Sequence, residues 1–375
     1  MRKDNVINYQ FKILIAFAMI FVVAGHVGNS FFTLNGFFNY AYFHMPLFMF
    51  VSGYFFNSTI SICREVIKQT KRLLLPFIGW NVFYGIIITY LRHSEFFKFE
   101  MGNDLSFYSL FVRSFIMGDA FILNVPSWFL FSLFLVKVIY ICLRTLILFF
   151  NNKNHSENII VLFLFFLGGV GICIGKSNLI FDLKIQVSRV LYLLFWYAAG
   201  FYYKVELQKV DVLSNRVYFF IIFFMQLGVL LLIQGKNVVS VYSGKFNSSI
   251  IVVFLLAFLG IAFWLRISRI LEPYLKDSKI LSYISDNTFD IMMHHAFILK
   301  VFVGIIFGIL TVLHMDIAKN FNLSLYRKEI WYSPLLYGKS FFSNVYLLVG
   351  LALPCFFAVY YKKVKKFIKG KFKYE

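Results

Sequence analysis

Charged side chains are scarce in this sequence, and cysteine and proline are scarcer still. Only 14% of the 375 residues are charged, and there are four cysteines and six prolines. The cysteines are scattered and form no CxxC pair, so their spacing predicts neither a zinc site nor a disulfide framework. No internal repeat, low-complexity linker or break in composition divides the chain, so we expect a single domain over residues 1–375. The cysteines are Cys63, Cys142, Cys173 and Cys355.

Hydrophobic residues are abundant: they make up 60% of the chain, and 21% of all residues are aromatic. Apolar runs of about 20 residues recur along the sequence, which is the length a helix needs to cross the hydrocarbon core of a bilayer. The first run lacks a small-residue cleavage site and contains a histidine, so it predicts a retained helix and not a signal peptide. The predicted fold class is therefore an all-α, polytopic integral membrane protein.

Ten membrane-spanning helices are predicted, so both termini lie on the same side of the membrane. The segments on that side hold 23 Lys and Arg residues and the opposite segments hold 11, so the positive-inside rule predicts that both termini are cytoplasmic. The two longest segments between spans, 92–124 and 314–341, then face outward, and their aromatic residues suit the membrane surface or sugar rings. The predicted spans are 11–30, 42–60, 72–91, 125–147, 158–174, 187–204, 216–234, 248–266, 287–313 and 342–361.

The formal net charge of +20 could suggest that the protein binds nucleic acid. The excess charge, however, lies at the predicted cytoplasmic helix ends and in the C-terminal tail, where lysines meet anionic lipid headgroups. The expected partner is therefore the lipid bilayer, and nucleic acid is not expected. The tail lysines are Lys362, Lys363, Lys365, Lys366, Lys369, Lys371 and Lys373.

Few ionisable side chains fall inside the predicted spans, and two of them are histidines on either side of one short loop. His26 lies near the outer end of the first span, and His44 opens the second. A histidine is costly to place at membrane depth and is usually functional there, so this pair predicts a reaction centre. For each intramembrane side chain, a packing hydrogen bond between helices is the alternative. The others are Lys137, Arg189, Asp290, His294, His295 and Lys300.

Helical spacing relates two pairs of these polar residues. Asp290 lies one turn before His294, on the same helix face, where a carboxylate can fix the tautomer of the imidazole and raise its basicity. Lys12 lies 14 residues before His26. In a helix these two side chains share one face and are about 21 Å apart along the axis. They would outline one wall of a channel through the protein.

A second cytoplasmic group of basic residues leads into the third span. It consists of Lys68, Lys71 and Arg72. Such residues either enforce membrane topology or hold the phosphates of an anionic ligand.

Three segments of the chain resemble the integral membrane acyltransferase 3 family. They are Val22-Val23-Ala24-Gly25-His26, the run Phe43-His44-Met45-Pro46-Leu47-Phe48 with Ser52-Gly53-Tyr54, and Lys71-Arg72 followed by Leu-Leu-Leu-Pro. Residues 127–130, 197–200 and 285–289 agree with the family more loosely. The resemblance covers most of the chain and is most specific in residues 20–80.

The resemblance implies the activity of a bacterial surface-glycan O-acetyltransferase. Such an enzyme sits in the cytoplasmic membrane with about ten helices, and it takes an acetyl group from cytoplasmic acetyl-CoA. The acceptor is a sugar hydroxyl of a capsule, an O-antigen or a similar glycan, or of its lipid-linked precursor. His26 is implied to be the catalytic histidine, acting either as general base or as an acyl relay, and no metal is expected. Neither the acyl group, the sugar nor the oligomeric state follows from the sequence.

One position departs from the family pattern. Family members usually have a basic residue eleven positions before the histidine, where this chain has Ile15. Lys12 lies one turn earlier on the same helix face, so it is a candidate replacement. The residues predicted to bind acetyl-CoA are Lys12, Lys68, Lys71 and Arg72. The residues predicted to contact the acceptor or stabilise the oxyanion are His44, Ser52, Arg189, Asp290, His294, His295 and Lys300.

Two other functions are compatible with a polytopic chain that has intramembrane charges. A transporter or flippase of a lipid-linked glycan would bind its cargo through these charges, but paired halves and interrupted helices are not evident here. A glycan polymerase would depend on arginines in the outer loops, where Arg92, Arg113 and Arg327 are sparse.

Overall fold

A computed structural model describes residues 7–28, 36–150, 156–233, 239–316, 319, 321–332, 334 and 339–371, with the side chains of 339–341, 362 and 364–371 excluded. Most of the described residues are helical. The helices are α1 Tyr9–His26, α2 His44–Tyr54, α3 Ile62–Gln69, α4 Leu75–His93, α5 Ser114–Met117, α6 Ser127–Phe150, α7 Ser156–Lys176, α8 Lys184–Val205, α9 Asn215–Ile233, α10 Ile250–Leu275, α11 Lys279–Asp286, α12 Thr288–Val312, α13 Leu323–Lys328 and α14 Lys339–Lys371. Strands β1 Val239–Ser240 and β2 Lys245–Phe246 pair antiparallel in one short hairpin.

Eight helices among the described residues are long and apolar enough to cross a membrane, which confirms the predicted fold class. They are α1, the continuous helix Ile62–His93 that contains α3 and α4, and α6, α7, α9, α10, α12 and α14. The orientation of the termini and the single domain stay predictions. Of the tail lysines assigned to lipid headgroups, only Lys363 has a described side chain.

Two of the ten predicted spans are not among these eight helices. The span predicted over 42–60 is the 11-residue helix α2. At 1.5 Å per residue it is about 16 Å long, too short to cross a hydrocarbon core of about 30 Å by itself. The span predicted over 187–204 is α8, which has 22 residues and is long enough, but it carries the buried polar side chains Gln186, Ser188 and Arg189. Both helices lie inside the bundle, where they can depart from the pattern of a lipid-facing span.

Helix α1 lies at the centre of the bundle, in contact with α2, α10, α11, α12 and α14. Its first turn is capped by the Asn8 side chain, which accepts a hydrogen bond from the backbone N–H of Phe11 at 3.1 Å. Phe11 stacks on Tyr54 at the far end of α2, with ring centroids 3.9 Å apart. Because α1 and α2 run antiparallel, His26 and His44 lie together at the opposite end. We refer to this as the His26 end.

Two glycines allow α2 and α8 to pack backbone against backbone. A Cβ atom at Gly53 would lie 1.8 Å from the carbonyl oxygen of Tyr197, and one at Gly200 would lie 1.8 Å from that of Phe50. Small residues at a crossing are how helices in membranes approach this closely. The contact holds the short helix α2 in the bundle.

We predict that Gly200→Ala lowers the thermal stability of the purified protein. The added methyl group has no space, so the two helices must separate, at a cost of about 1–3 kcal/mol. Thermal unfolding in detergent measures the effect. Gly228→Ala is the matched control, because a Cβ there meets no atom within 4 Å. Equal melting temperatures for both variants would contradict the packing described.

Candidate active site

A cavity of about 870 Å³ lies within the bundle and extends along α1. Ile15 and His26 both line it, and their separation of 11 positions corresponds to a rise of about 16 Å along the helix. Most of the wall is apolar, with a few polar groups, as in small-molecule binding sites. The polar residues of the wall, with its Trp and Tyr residues, are His26, Asn39, Tyr40, His44, Ser52, Trp128, Ser240, Tyr242, Ser285, Thr288 and Trp331.

His26 is the last residue of α1 and its ring lies among other aromatic rings. Trp331 stacks on it with ring centroids 3.8 Å apart and planes 8° apart. The centroid of the buried His295 ring is 5.3 Å from that of His26 and 5.8 Å from that of Trp331. The imidazole of His26 therefore faces a cavity on one side and is supported by two other rings.

Backbone carbonyls determine the tautomers of the two histidines near His26. Nδ1 of His44 is 2.6 Å from the carbonyl oxygen of Tyr40, and Nδ1 of His295 is 2.8 Å from that of Ile291. A carbonyl oxygen only accepts hydrogen bonds, so Nδ1 must carry the proton in both rings. In the neutral rings Nε2 is then the acceptor. Nε2 of His295 is buried without a hydrogen-bond partner among the described residues.

The part of the cavity farther from His26 lies near an ion pair. Ser285 and Thr288 line this part, and the next residue after Ser285 is Asp286, whose carboxylate is 2.9 Å from Nζ of Lys12. The two side chains are 28% and 58% exposed, so this pair contributes little to stability. Lys12 therefore lies near the cavity, but the part of α1 that lines the cavity begins at Ile15.

The predicted basic group on the third span lies next to the cavity wall. A π-helical turn over Thr70–Leu74 leaves Lys71 and Arg72 exposed, while the adjacent Leu73 lines the cavity. Nζ of Lys68 is 3.2 Å from the buried carboxylate of Glu65. The π-helical turns that interrupt helices are frequent at functional sites.

The other predicted site residues divide into two groups. His44 and Ser52 line the cavity with His26. The remaining five are not among the described residues that line the cavity: Arg189, Asp290, His294, His295 and Lys300. Arg189 is buried, donates to the carbonyl of Met117 and lies over the ring of Trp128.

The polar atoms of His294 and Lys300 have partners away from the cavity. Nδ1 of His294 is 2.7 Å from the hydroxyl of Tyr84. The ammonium of Lys300 donates to the backbone carbonyls of Tyr326 and Glu329. Asp290 is half-buried one turn before His294. Its role in orienting that ring stays a prediction.

Sequence reasoning missed three residues at the His26 end: Trp331, Tyr242 and Asp119. Trp331 and Tyr242 line the cavity, and the Tyr242 hydroxyl donates to the carboxylate of Asp119 at 2.5 Å. The hairpin that carries Tyr242 contacts the turn Tyr40–Tyr42. Aromatic residues in the outer segments were a general signal, but nothing in the sequence separates these from the surface aromatics.

Burial raises the pKa of Asp119 to about 6, while the Tyr242 hydroxyl and the guanidinium groups of Arg189 and Arg113 oppose this effect. Burial and the neighbouring Asp119 also raise the pKa of Tyr242. The hydrogen bond between these two side chains therefore joins the hairpin to the half-buried Asp119 beside the cavity, while Tyr242 itself is 44% exposed. Among the described residues, no cluster of three or more His, Cys, Asp and Glu side chains is arranged to hold a metal ion.

The chain belongs to the acyltransferase 3 family, because the family profile, described as an acyltransferase domain, matches residues 8–361. The protein is therefore a multi-pass membrane acyltransferase. Neither the curated proteins nor the solved structures contain a significant match.

We predict that Asp119 gives the protein a pH-dependent stability between pH 4 and 6. A carboxyl whose pKa is raised by folding, here from 3.8 to about 6, stabilises the folded state fully below the unfolded pKa. This contribution is lost as the pH rises through the folded value. Melting temperatures measured from pH 4.5 to 7.5 should therefore fall less for Asp119→Asn than for the wild type.

The matched control is Asp316→Asn, which removes the same charge from a side chain that is 92% exposed. This variant should keep the wild-type pH dependence. If Asp119→Asn also kept it, the environment inferred for this carboxyl would be wrong.

Proposed function

We propose that this membrane acyltransferase transfers an acetyl group from cytoplasmic acetyl-CoA to a sugar hydroxyl of a bacterial surface polysaccharide or its lipid-linked precursor. One observation carries the proposal: a single cavity is lined by both His26 and Leu73. Leu73 directly follows the basic residues Lys71 and Arg72, so the cavity connects the histidine with the neighbourhood of the basic group. A reaction between a cytoplasmic thioester and an outer hydroxyl needs a cavity that both reactants can reach, because the two reactants enter from opposite sides. The cytoplasmic membrane of a bacterium is the location that this reaction requires.

The cavity fits the acyl-bearing arm of the donor. Its volume of about 870 Å³ is within the usual range for small-molecule sites, and its largely apolar wall suits an aliphatic chain. Acetyl-CoA supplies an acyl group activated as a thioester. Lys68, Lys71 and Arg72, with Lys12 on the α1 side, would hold its phosphates by charge-assisted hydrogen bonds.

His26 would act on the acceptor hydroxyl as the general base. A neutral imidazole accepts a proton at its unprotonated ring nitrogen, and proton transfer by a positioned side chain contributes about 10²–10⁴-fold to the rate. His44 and His295 present Nε2 as an acceptor because their Nδ1 protons are engaged. Of the three residues predicted to stabilise the oxyanion, Arg189, Lys300 and Ser52, only Ser52 belongs to the cavity wall as described.

The His26 end also supports a sugar as acceptor. Trp128, Tyr242 and Trp331 line the cavity there, and the ring centroids of Trp128 and Tyr242 are 5.9 Å apart. Aromatic faces pack against the apolar faces of sugar rings, while polar groups nearby can bind sugar hydroxyls.

We predict that His26→Ala abolishes acyl transfer in a protein that still folds and inserts. Purified protein in vesicles is given acetyl-CoA labelled in the acetyl group together with glycan, and label in the glycan is measured. Removal of the general base should lower the rate by about 10²–10⁴-fold. His93→Ala is the control, because this histidine side chain is 71% exposed. Wild-type transfer by His26→Ala would overturn the assignment.

The same assay separates the other functions. A transporter or flippase would move the glycan unmodified, and a polymerase would lengthen it without taking up acetyl label. Label recovered on the protein in the absence of glycan, and missing from His26→Ala, would identify an acyl relay in place of a general base.

We predict that removing the charges of Lys71 and Arg72 together weakens donor binding selectively. Charge-assisted hydrogen bonds contribute about 1.5–3 kcal/mol each, so the KM for acetyl-CoA should rise at least about 10-fold in the double variant Lys71→Gln and Arg72→Gln. The KM for acetyl-pantetheine, which has no phosphates, should not change. Lys328→Gln, on the exposed α13, is the control. Equal effects on both donors would show that the two residues do not bind phosphates.

A further inference from the structure

Residues 321–332 form a compact segment at the His26 end, which we call the cap segment. Its helix α13 begins after Asn322, whose side chain accepts a hydrogen bond from the N–H of Leu325 at 3.0 Å. The N–H of Asn322 donates in turn to the hydroxyl of Tyr332 at 2.6 Å. The two ends of the segment are thereby tied together, with Trp331 next to the tie.

The buried Lys300 on α12 fastens this segment to the bundle. Lys300 is only 2% exposed. Its ammonium donates to the carbonyls of Tyr326 and Glu329, the latter at 2.6 Å. The hydroxyl of Tyr326 donates back to the carbonyl of Lys300 at 3.1 Å. A buried lysine is costly unless its charge is satisfied. Here it is satisfied by carbonyls at the end of α13, where a cation is also favourable.

A second set of contacts fastens the cap segment to the outer residues 96–100. The N–H of Glu100 donates to the carbonyl of Arg327 at 3.0 Å, and Nε of Arg327 donates to the carbonyl of Phe97 at 2.9 Å. The rings of Phe99 and Tyr326 meet edge to face, with centroids 5.6 Å apart. The cap segment is therefore held from two sides, and so is Trp331.

Trp331 places its ring against the group at the centre of the proposed reaction. The ring centroids of Trp331 and His26 are 3.8 Å apart and the ring planes differ by 8°. This stack covers one face of the imidazole and restricts the tilt of its plane. The buried His295 lies beside both rings. Because His26 is the last residue of α1, this helix has no following turn whose side chains could pack over the ring, and the stack on Trp331 supplies such a contact.

We propose that Trp331 is a positioning residue for acyl transfer, holding the His26 imidazole in one plane at the cavity wall, and that Lys300 acts through Trp331 by fixing the cap segment. This inference rests on the proposed role of His26. A general base must be within hydrogen-bonding reach of the proton that it takes. Small displacements of reacting groups cost about 10²-fold in rate, and residues that support a site contribute by preventing such displacements.

The test compares Trp331→Ala with Trp331→Phe in the vesicle assay. Trp331→Ala should lower kcat about 10–100-fold, with the KM for acetyl-CoA and the KM for the glycan both within about two-fold of the wild type, whereas a role in binding the sugar would raise the KM for the glycan. Trp331→Phe retains a stacking ring and should recover most of kcat. A purely structural role would not produce this division between kcat and KM with rescue by phenylalanine. Wild-type kcat for Trp331→Ala would overturn the proposal.

A reagent specific for imidazole gives a readout that does not depend on activity. Carbethoxylation by diethyl pyrocarbonate, located by peptide mass mapping, should modify His26 several-fold faster in Trp331→Ala than in the wild type, because one face of the ring is uncovered. The exposed His93 serves as internal reference and should react equally in both proteins. An unchanged rate at His26 would show that Trp331 does not cover it.

The role of Lys300 is tested by combining substitutions. If Lys300 acts through Trp331, the double variant Lys300→Met with Trp331→Ala should lose no more activity than the more impaired of the two single variants. Multiplied losses would show an independent role, such as oxyanion stabilisation. If Lys300→Met does not fold, Arg327→Gln, which loosens the cap segment from the outside, replaces it in the same cycle. Lys319→Met, whose side chain is 80% exposed and lies outside the cap segment, is the matched control and should not change kcat.

These outcomes are distinct from failure of the proposed function. If His26→Ala retains transfer, the role of His26 is wrong whatever Trp331 does. If His26→Ala is inactive and Trp331→Ala has wild-type kcat and wild-type reactivity at His26, only the positioning role is wrong.

Discussion

The absence of water at membrane depth determines where the polar groups inside this bundle can lie. A polar atom there needs a partner within the protein or an opening into a cavity, since an unsatisfied group costs several kcal/mol. Lys300 donates to two backbone carbonyls and one nitrogen of Arg189 donates to a third, whereas the other two guanidinium nitrogens of Arg189 and Nε2 of His295 have no hydrogen-bond partner among the described residues. His44 and His295 direct Nδ1 to carbonyls as well. His26 differs from these, because its ring lies between the cavity and the stacked Trp331.

The same constraint explains why the short helix α2 lies inside the bundle and forms part of the cavity wall. A helix of 11 residues is too short to cross the hydrocarbon core by itself, so it must be held within protein, and the glycine contacts with α8 do this. Both His44, at the start of α2, and Ser52, near its end, line the cavity. An ordinary lipid-facing span would not place both of these residues on an internal wall. The departure from the regular pattern of spans is thus what builds one side of the site.

The site brings together parts of the chain that are distant in sequence. Trp331 meets His26 across about 300 residues, and Tyr242 meets Asp119 across 123. The predicted basic group lies next to the cavity wall because Leu73, which follows the exposed Lys71 and Arg72, turns inward and lines the wall. At the position where the family carries a basic residue, Ile15 lines the wall, and the nearest cation, Lys12, is paired with Asp286. The donor phosphates would therefore compete with a carboxylate for Lys12.

Composition and apolar run length alone determined the membrane class and the helical fold, because the bilayer imposes the same length and backbone hydrogen bonding on every span. Local spacing and the family motifs were enough to single out His26, His44 and Ser52, which are near one another in the chain. Only the tertiary structure decided that Lys300 serves the cap segment, that α2 is short, and that Trp331 and Asp119 belong to the His26 end. Those facts depend on packing between distant segments, and the direction in which a buried lysine or tryptophan points leaves no periodic signal in the sequence.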